Sequence, residues 1–234
     1  ETDALSIAGV AVTTTAAELN LIDGGTARGT TAIVDADGVL INDAGTMRMT
    51  SAATLATYMG TKIGVGLEFI ATADASSSAT LVFTGFDASK FDNYVFKIAN
   101  ILPATDNQWL RIRLSIDSGS NYLAASDSYS MFGSAAVSTG DNTYLGFGYS
   151  GTGNAAGEGL GGEVNINGPH LNAPTFVYNS GLIIAYNGVV EPSPSIGPGV
   201  GRTKANTVVD AVQFSFTSGN IASGTITMYG MVNA

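Results

Sequence analysis

The run Leu110-Arg111-Ile112-Arg113-Leu114-Ser115-Ile116 alternates apolar and polar side chains without a break. Successive side chains of a strand point to opposite faces of a sheet, so this period of two puts four aliphatic groups on one side. Trp109, Arg111 and Arg113 then share the other side. A helix would scatter the same residues around its axis and bury none of them together. The segment therefore predicts a half-buried antiparallel strand.

Working outward, the same rhythm recurs in 79–84, 94–101, 129–132, 143–149, 163–167, 175–178, 182–186, 208–216 and 225–231, with Gly, Asn, Asp, Ser or Pro between the runs. About nine or ten short strands with no helical pattern among them predict a mainly β fold, an antiparallel β-sandwich of jelly-roll type. Closure into a barrel would satisfy the same pattern. Two segments interrupt it: Gly146 to Gly162 holds eight glycines, and Glu191 to Arg202 holds Pro192, Pro194 and Pro198. Both are expected to be long surface loops.

Residues 1–66 differ from residues 67–234 in texture. The first region has Tyr58 as its one aromatic residue, whereas the second carries the other eighteen Phe and Tyr and also Trp109. A core needs large side chains, so residues 67–234 are expected to form the head domain and residues 1–66 a stalk or attachment region. Thr15-Ala16-Ala17-Glu18 has capping-box spacing and predicts a short helix bearing Leu19 and Ile22, ended at Gly24. Ala32 to Val34 and Val39 to Ile41 read as strands around the turn Asp35 to Gly38, and Thr50 or Ser51 caps a helix from Ala52 to Met59. Helices this short are unstable alone in water. Leu19, Ile22, Leu55 and Tyr58 are therefore the candidate interface with further copies of the chain.

Composition narrows the function. Only 12% of the 234 residues are charged and the net charge is −10, so Ser, Thr, Asn and Gly must solvate the surface. Nucleic acid and anionic membranes would be repelled. No apolar run reaches the ~20 residues of a membrane span, so membrane insertion is not expected. Cysteine is absent, which removes disulfides and thiolate metal sites.

His170 stands alone in the turn sequence Asn167-Gly168-Pro169-His170, without a second His or a Gly-x-Ser-x-Gly elbow, and reads as structural. Gly146-Phe147-Gly148-Tyr149-Ser150-Gly151 has the dinucleotide-binding spacing but leads into more glycine rather than a helix. Glu158 and Glu163 are the nearest carboxylate pair for a glycosidase, with Glu158 in an expected flexible loop. Asp35, Asp37, Asn42 and Asp43 have some character of a calcium loop without its glycine and bidentate glutamate. No catalytic, cofactor or metal residue is assigned, and a non-enzymatic protein is expected. Trp109, Arg111 and Arg113 suit either a carbohydrate-stacking platform or a subunit interface. Tyr144, Phe147 and Tyr149 form the candidate outward contact loop.

Val12-Thr13-Thr14-Thr15-Ala16-Ala17-Glu18-Leu19-Asn20-Leu21-Ile22-Asp23-Gly24 resembles a module of bacteriophage tail-fibre and other virion structural proteins. The stretches 35–43 and 54–59 resemble their stalks, and Gly224 to Gly230 is similar to the last strand of their β-sandwich heads. The resemblance implies an intertwined homotrimer at the virion surface, attached to other virion proteins by its N-terminal end. Its head would meet host cell-surface carbohydrate or protein. A capsid-bound head fibre or decoration protein, a tailspike-type polysaccharide hydrolase and a bacterial adhesin are the rival expectations. The module occurs once, which implies a short stalk or further repeats upstream of Glu1.

Overall fold

The computed structural model describes residues 6–13, 15, 30–62, 66–132, 142–186, 193–196 and 199–232. Its contacts divide the chain into two compact units, Glu1–Ile63 and Gly64–Ala234.

In the first unit, β1 (Ser6–Ile7) and β2 (Val10–Ala11) form a minimal antiparallel pair. A longer hairpin joins β3 (Gly38–Asp43) to β4 (Thr46–Ser51), with Leu40 opposite Met49 and Asp43 opposite Thr46. The connection is Ala44-Gly45, with φ of 49° and 91°. Positive φ at both central residues is the two-residue turn whose twist matches the strands, and Asn42 Oδ1 accepts a hydrogen bond of 2.7 Å from the Gly45 amide. The expected hairpin was placed one turn too early. Asp35 to Asp37 do form a turn, with the Val34 amide donating to Asp37 Oδ2 at 2.9 Å, yet 32–34 is not a strand and β3 pairs forward instead.

Helix α1 (Ala52–Lys62) follows β4 directly. Ser51 caps it, its Oγ accepting from the Thr54 amide at 3.1 Å. The Ala52 and Ala53 amides, also left over at the helix start, donate to the Asp37 and Asp35 carbonyls. The helix runs three residues beyond the expected Met59, through Gly60. The other expected helix, with Leu19 and Ile22, lies outside the described residues.

The second unit is built of antiparallel sheets. The smaller has the order β10 (Leu145–Thr152), β8 (Gln108–Ser115), β15 (Ala211–Phe216), β6 (Leu81–Phe83). The larger begins β5 (Glu68–Asp74), β16 (Ile221–Val232), β7 (Phe91–Pro103), β11 (Gly159–Asn167). It continues through β12 (Phe176–Tyr186), β14 (Val200–Thr203) and β9 (Tyr129–Phe132), with β13 (Ser193–Ile196) pairing β12.

The two sheets contribute to one core. Leu110, Ile112 and Leu114 are fully buried from β8, as are Phe96 from β7 and Val164 and Ile166 from β11. Phe96 of the larger sheet meets Phe214 of the smaller at 5.3 Å between ring centroids, and Phe83 at 5.4 Å. Burial of such rings is the main favourable contribution to folding. Tyr129 is buried among them, its hydroxyl accepting from the Leu114 amide at 2.8 Å and donating to the Leu123 carbonyl at 3.1 Å. This mainly β, antiparallel architecture is consistent with a β-sandwich.

Both expected loops are largely strand. Gly146 to Gly151 lie within β10 and β11 starts at Gly159, leaving a short turn at 153–158. The glycines serve close approach there: a Cβ on Gly151 would stand 2.6 Å from the Asn107 carbonyl carbon. In the proline-rich segment, β13 accommodates Pro194 because it pairs on one side with β12 among the described residues, and a proline can occupy an edge. The two expected strands 175–178 and 182–186 are one continuous β12. It pairs β14 before Asn179 and β13 from Ile183 onward.

Candidate functional site

The predicted residues fall in three places. In the first unit, the Val39/Ile41/Thr50 face of the hairpin is partnered by α1. Leu55 and Tyr58 from α1 line a groove of about 470 Å³ with Ile41, Thr50 and Thr54. Leu55 is half-buried and Tyr58 is 60% exposed. The opposite face of the hairpin carries Leu40, Met47 and Met49, and all three are exposed. Leu19 and Ile22 lie outside the described residues, so the structure brings together only half of the predicted interface set.

The second place is the outer face of the smaller sheet. Trp109, Arg111 and Arg113 alternate with the buried Leu110, Ile112 and Leu114, as the period of two requires. The Arg111 guanidinium lies 5.7 Å from the centroid of the Tyr144 ring, and Arg113 Nε donates to the Thr143 carbonyl at 3.1 Å. Burial lowers the Arg111 pKa, and the neighbouring charge of Arg113 adds to this. Trp109 Nε1 and Arg111 Nε are enclosed without a hydrogen-bond partner. Tyr144, in the bend just before β10, thus packs against Arg111, while Arg113 holds the carbonyl of the preceding residue. Phe147 stands opposite Leu110 in the register of β10 and β8. The side chains of Phe147 and Tyr149 lie outside the described residues.

The third place was not anticipated. At the end of β7 and β11, Asn93 pairs with Asn167 across the sheet. The turn Gly168 to Leu171 closes over them, with the Leu171 amide donating to the Gly168 carbonyl at 3.1 Å. A cleft of about 450 Å³ opens there between β7, β11 and β12. Asp92, Asn93, Asn167 and His170 supply its polar groups, and Leu171, Pro174 and Phe176 its apolar wall. His170 Nε2 lies 3.4 Å from Asp92 Oδ1, while Nδ1 is enclosed without a partner. The turn expected around His170 is present, and it carries the imidazole into this cleft. The signal available in the sequence was Asn167-Gly168-Pro169-His170 alone. Asp92 and Asn93 join it only through strand pairing across more than seventy residues.

The remaining candidates are engaged locally. Glu163 is directly opposite Lys97 and accepts its ammonium hydrogen bond; this contact, seconded by Asn165 at 3.2 Å, holds its carboxyl below the usual range against the opposing effect of burial. Glu158 is buried rather than carried on a flexible loop, and its Oε2 accepts from the Ala155 amide at 2.6 Å. The motif Gly146 to Gly151 lies in strand, not before a helix. Asp43 pairs with Arg48 at 2.8 Å and Asp37 and Asn42 accept from their own turns. No group of three or more metal-ligating side chains converges among the described residues. No helix among them is long and apolar enough to cross a membrane.

In comparison with known proteins, the chain matches no family model, no curated protein and no solved structure.

Proposed function

We propose that the chain is a non-enzymatic structural subunit of a bacteriophage virion, a fibre protein displayed at the particle surface. Residues 67–234 act as an outward knob for host-surface recognition or adhesion. Residues 1–66 act as an intertwined homotrimeric stalk that joins other virion proteins at its N-terminal end.

The observation that carries the reading is the uncovered apolar surface of the first unit. Leu40 is 53% exposed and Met49 72% exposed, although they face each other across a hairpin. Cross-strand apolar pairs contribute when they are buried, and a monomer leaves this one in water. Three copies around an axis would cover it.

For the knob, the strand order supports a jelly roll. Taking β5, β6, β7, β8, β10, β11, β15 and β16 in chain order, the first, eighth, third and sixth neighbour one another in the larger sheet. The second, seventh, fourth and fifth do so in the smaller. This is the interleaving produced by two Greek keys. The remaining strands extend the larger sheet. The Glu163 carboxyl is held below its usual range by Lys97, the opposite of the raised acid that a glycosidase needs, and Glu158 Oε2 is taken up by the Ala155 amide, which favours display over hydrolysis.

The test combines sedimentation of residues 1–234 with electron microscopy of virions labelled by an antibody to the chain. A species of three chains and labelled tail fibres are expected. Labels on the capsid would favour the decoration protein, and a monodisperse monomer at micromolar concentration would remove the stalk.

A further inference from the structure

We infer that the cleft beside His170 is a preformed subsite for one neutral sugar ring of a surface glycan. The inference deepens the recognition role proposed above and rests on it for its biological setting.

Rigidity is the first ground. The loop that forms the cleft is tied at its start by two backbone hydrogen bonds. The Gly168 amide donates to the Asp92 carbonyl at 3.0 Å and the Val209 amide donates to the Pro169 carbonyl at 2.7 Å. Gly168 also donates to Asn93 Oδ1 at 3.2 Å, which fixes that amide side chain against the turn. Gly168 has φ of 60°, and Leu171 lies over it, so a Cβ there would come within 3.0 Å of Leu171 Cδ1. Binding in such a place costs little ordering of the protein.

The lining decides the class of ligand. Phe176 is 47% exposed and Leu171 50% exposed. They stand beside a carboxylate, two carboxamides and an imidazole in the same concavity. A purely apolar ligand would strip water from those four groups without replacing its hydrogen bonds. A pyranose matches both halves, because its C–H face packs on the apolar wall while its hydroxyls donate to Asp92 and exchange hydrogen bonds with Asn93 and Asn167. Charge excludes the acidic sugars: no Lys or Arg lines the cleft, and Arg202, opposite Phe176 on β14, is outside it. The volume of about 450 Å³ falls within the range of small-molecule sites and admits a single ring with part of a neighbour.

The experiment is saturation-transfer NMR with calorimetry on the full chain, using methyl glucoside, methyl galactoside and methyl mannoside. N-acetylneuraminic acid and a tetraproline peptide serve as the anionic and peptide probes. At least one neutral glycoside should bind, and Asp92→Asn and Phe176→Ser should each weaken it about tenfold or more. Val82→Ser, an exposed position on β6 of the smaller sheet, should leave it unchanged. Both cleft residues are exposed, and thermal unfolding confirms that the variants remain folded. Absence of binding by all three glycosides, preference for the anionic or peptide probe, or indifference to both cleft variants would overturn the inference. Failure of the glycosides with a chain that still labels virions would sink the cleft alone. Binding by a chain that labels no virion would uphold the cleft and sink the fibre reading.

Discussion

Two antiparallel pairs in this molecule have nearly the same local pattern and opposite fates. In the second unit, β8 alternates Leu110, Ile112 and Leu114 with Arg111 and Arg113, and pairs β15 with Ile112 opposite Phe214. All of these apolar side chains are fully buried. In the first unit, β3 and β4 set Leu40 against Met49 and Ile41 against Arg48, with a matched two-residue turn. There the Leu40 and Met49 side chains remain in solvent. The difference is not in the strands but in what lies across from them. One pair meets an opposing sheet that brings Phe96 to its inner face, whereas the other has a helix on one side and nothing on the other among the described residues. Alternation states that a face favours burial; it does not state what buries it.

The sharpest way to break this contrast is to remove a ring from the buried pair. Phe214→Ala should destabilise the second unit by about 3–5 kcal/mol through lost transfer energy and the cavity left behind. Urea unfolding followed by near-ultraviolet circular dichroism reads this loss, and a change under about 1 kcal/mol would mean that the two sheets are not packed as described.

On the uncovered side, Met49→Asp combined with Leu55→Asp should weaken association of the chain by about 100-fold, since a carboxylate held in a packed interface is left unpaired. The melting of the second unit should not move. If sedimentation shows the variant associating as the parent does, the bare hairpin face and the groove on α1 are ordinary solvent-exposed surface.

Alkali should act on the second unit through its buried phenols. Desolvation pushes Tyr94 and Tyr129 up to about 12, with hydrogen bonds to the Asp87 and Leu114 amides partly opposing it. An unfolded tyrosine ionises near 10. The unfolded chain therefore releases these protons first, so stability is intact below pH ~10 and falls as pH rises towards ~12. Phenolate absorbance should rise together with loss of structure. Ionisation of both rings near their ordinary value without unfolding would contradict their burial.

The smallest effect belongs to the outer surface of the larger sheet. Glu163→Gln removes the pair with Lys97, and because both groups retain solvent contact the loss should be about 1 kcal/mol or less. Glu163 has a depressed pKa, so its contribution is present above the ordinary glutamate value and disappears as pH falls through the folded one. Parent and variant should then melt alike in acid. A difference that persisted there would assign the effect to Asn165 and packing rather than charge.

Much of the second unit was legible in advance because a strand buried on one face writes its period into the sequence. The stretch around Leu110 is the clearest case, and Tyr129 to Phe132 was placed with its observed limits. The errors cluster where residue type and local conformation separate. Gly146 to Gly162 reads as loop by composition although 143–149 has the strand rhythm, and glycine lets β10 run on to Thr152 within close reach of Asn107. Pro194 reads as a strand breaker, but an edge tolerates it. In the first unit the Asp37-Gly38 signal attracted the hairpin assignment, while the turn formed at Ala44-Gly45 because residues on both of its sides could pair. Of the candidate contact residues, Tyr144 was identified and its partner Arg111 was noted separately. Their stacking depends on β10 lying beside β8, which no local feature encodes.

What the sequence determined by itself was therefore the class of structure: period-two runs, aromatic residues concentrated after residue 66, and short neutral polar residues in place of charge. These are properties of neighbours along the chain, and local sterics and transfer energies act on them directly. The tertiary structure alone decided which strands pair, which face of each is covered, and that Asp92, Asn93, Asn167 and His170 meet in one cleft. Those outcomes depend on contacts between residues far apart in sequence, where the entropy of closing long loops is offset only when a whole sheet forms at once.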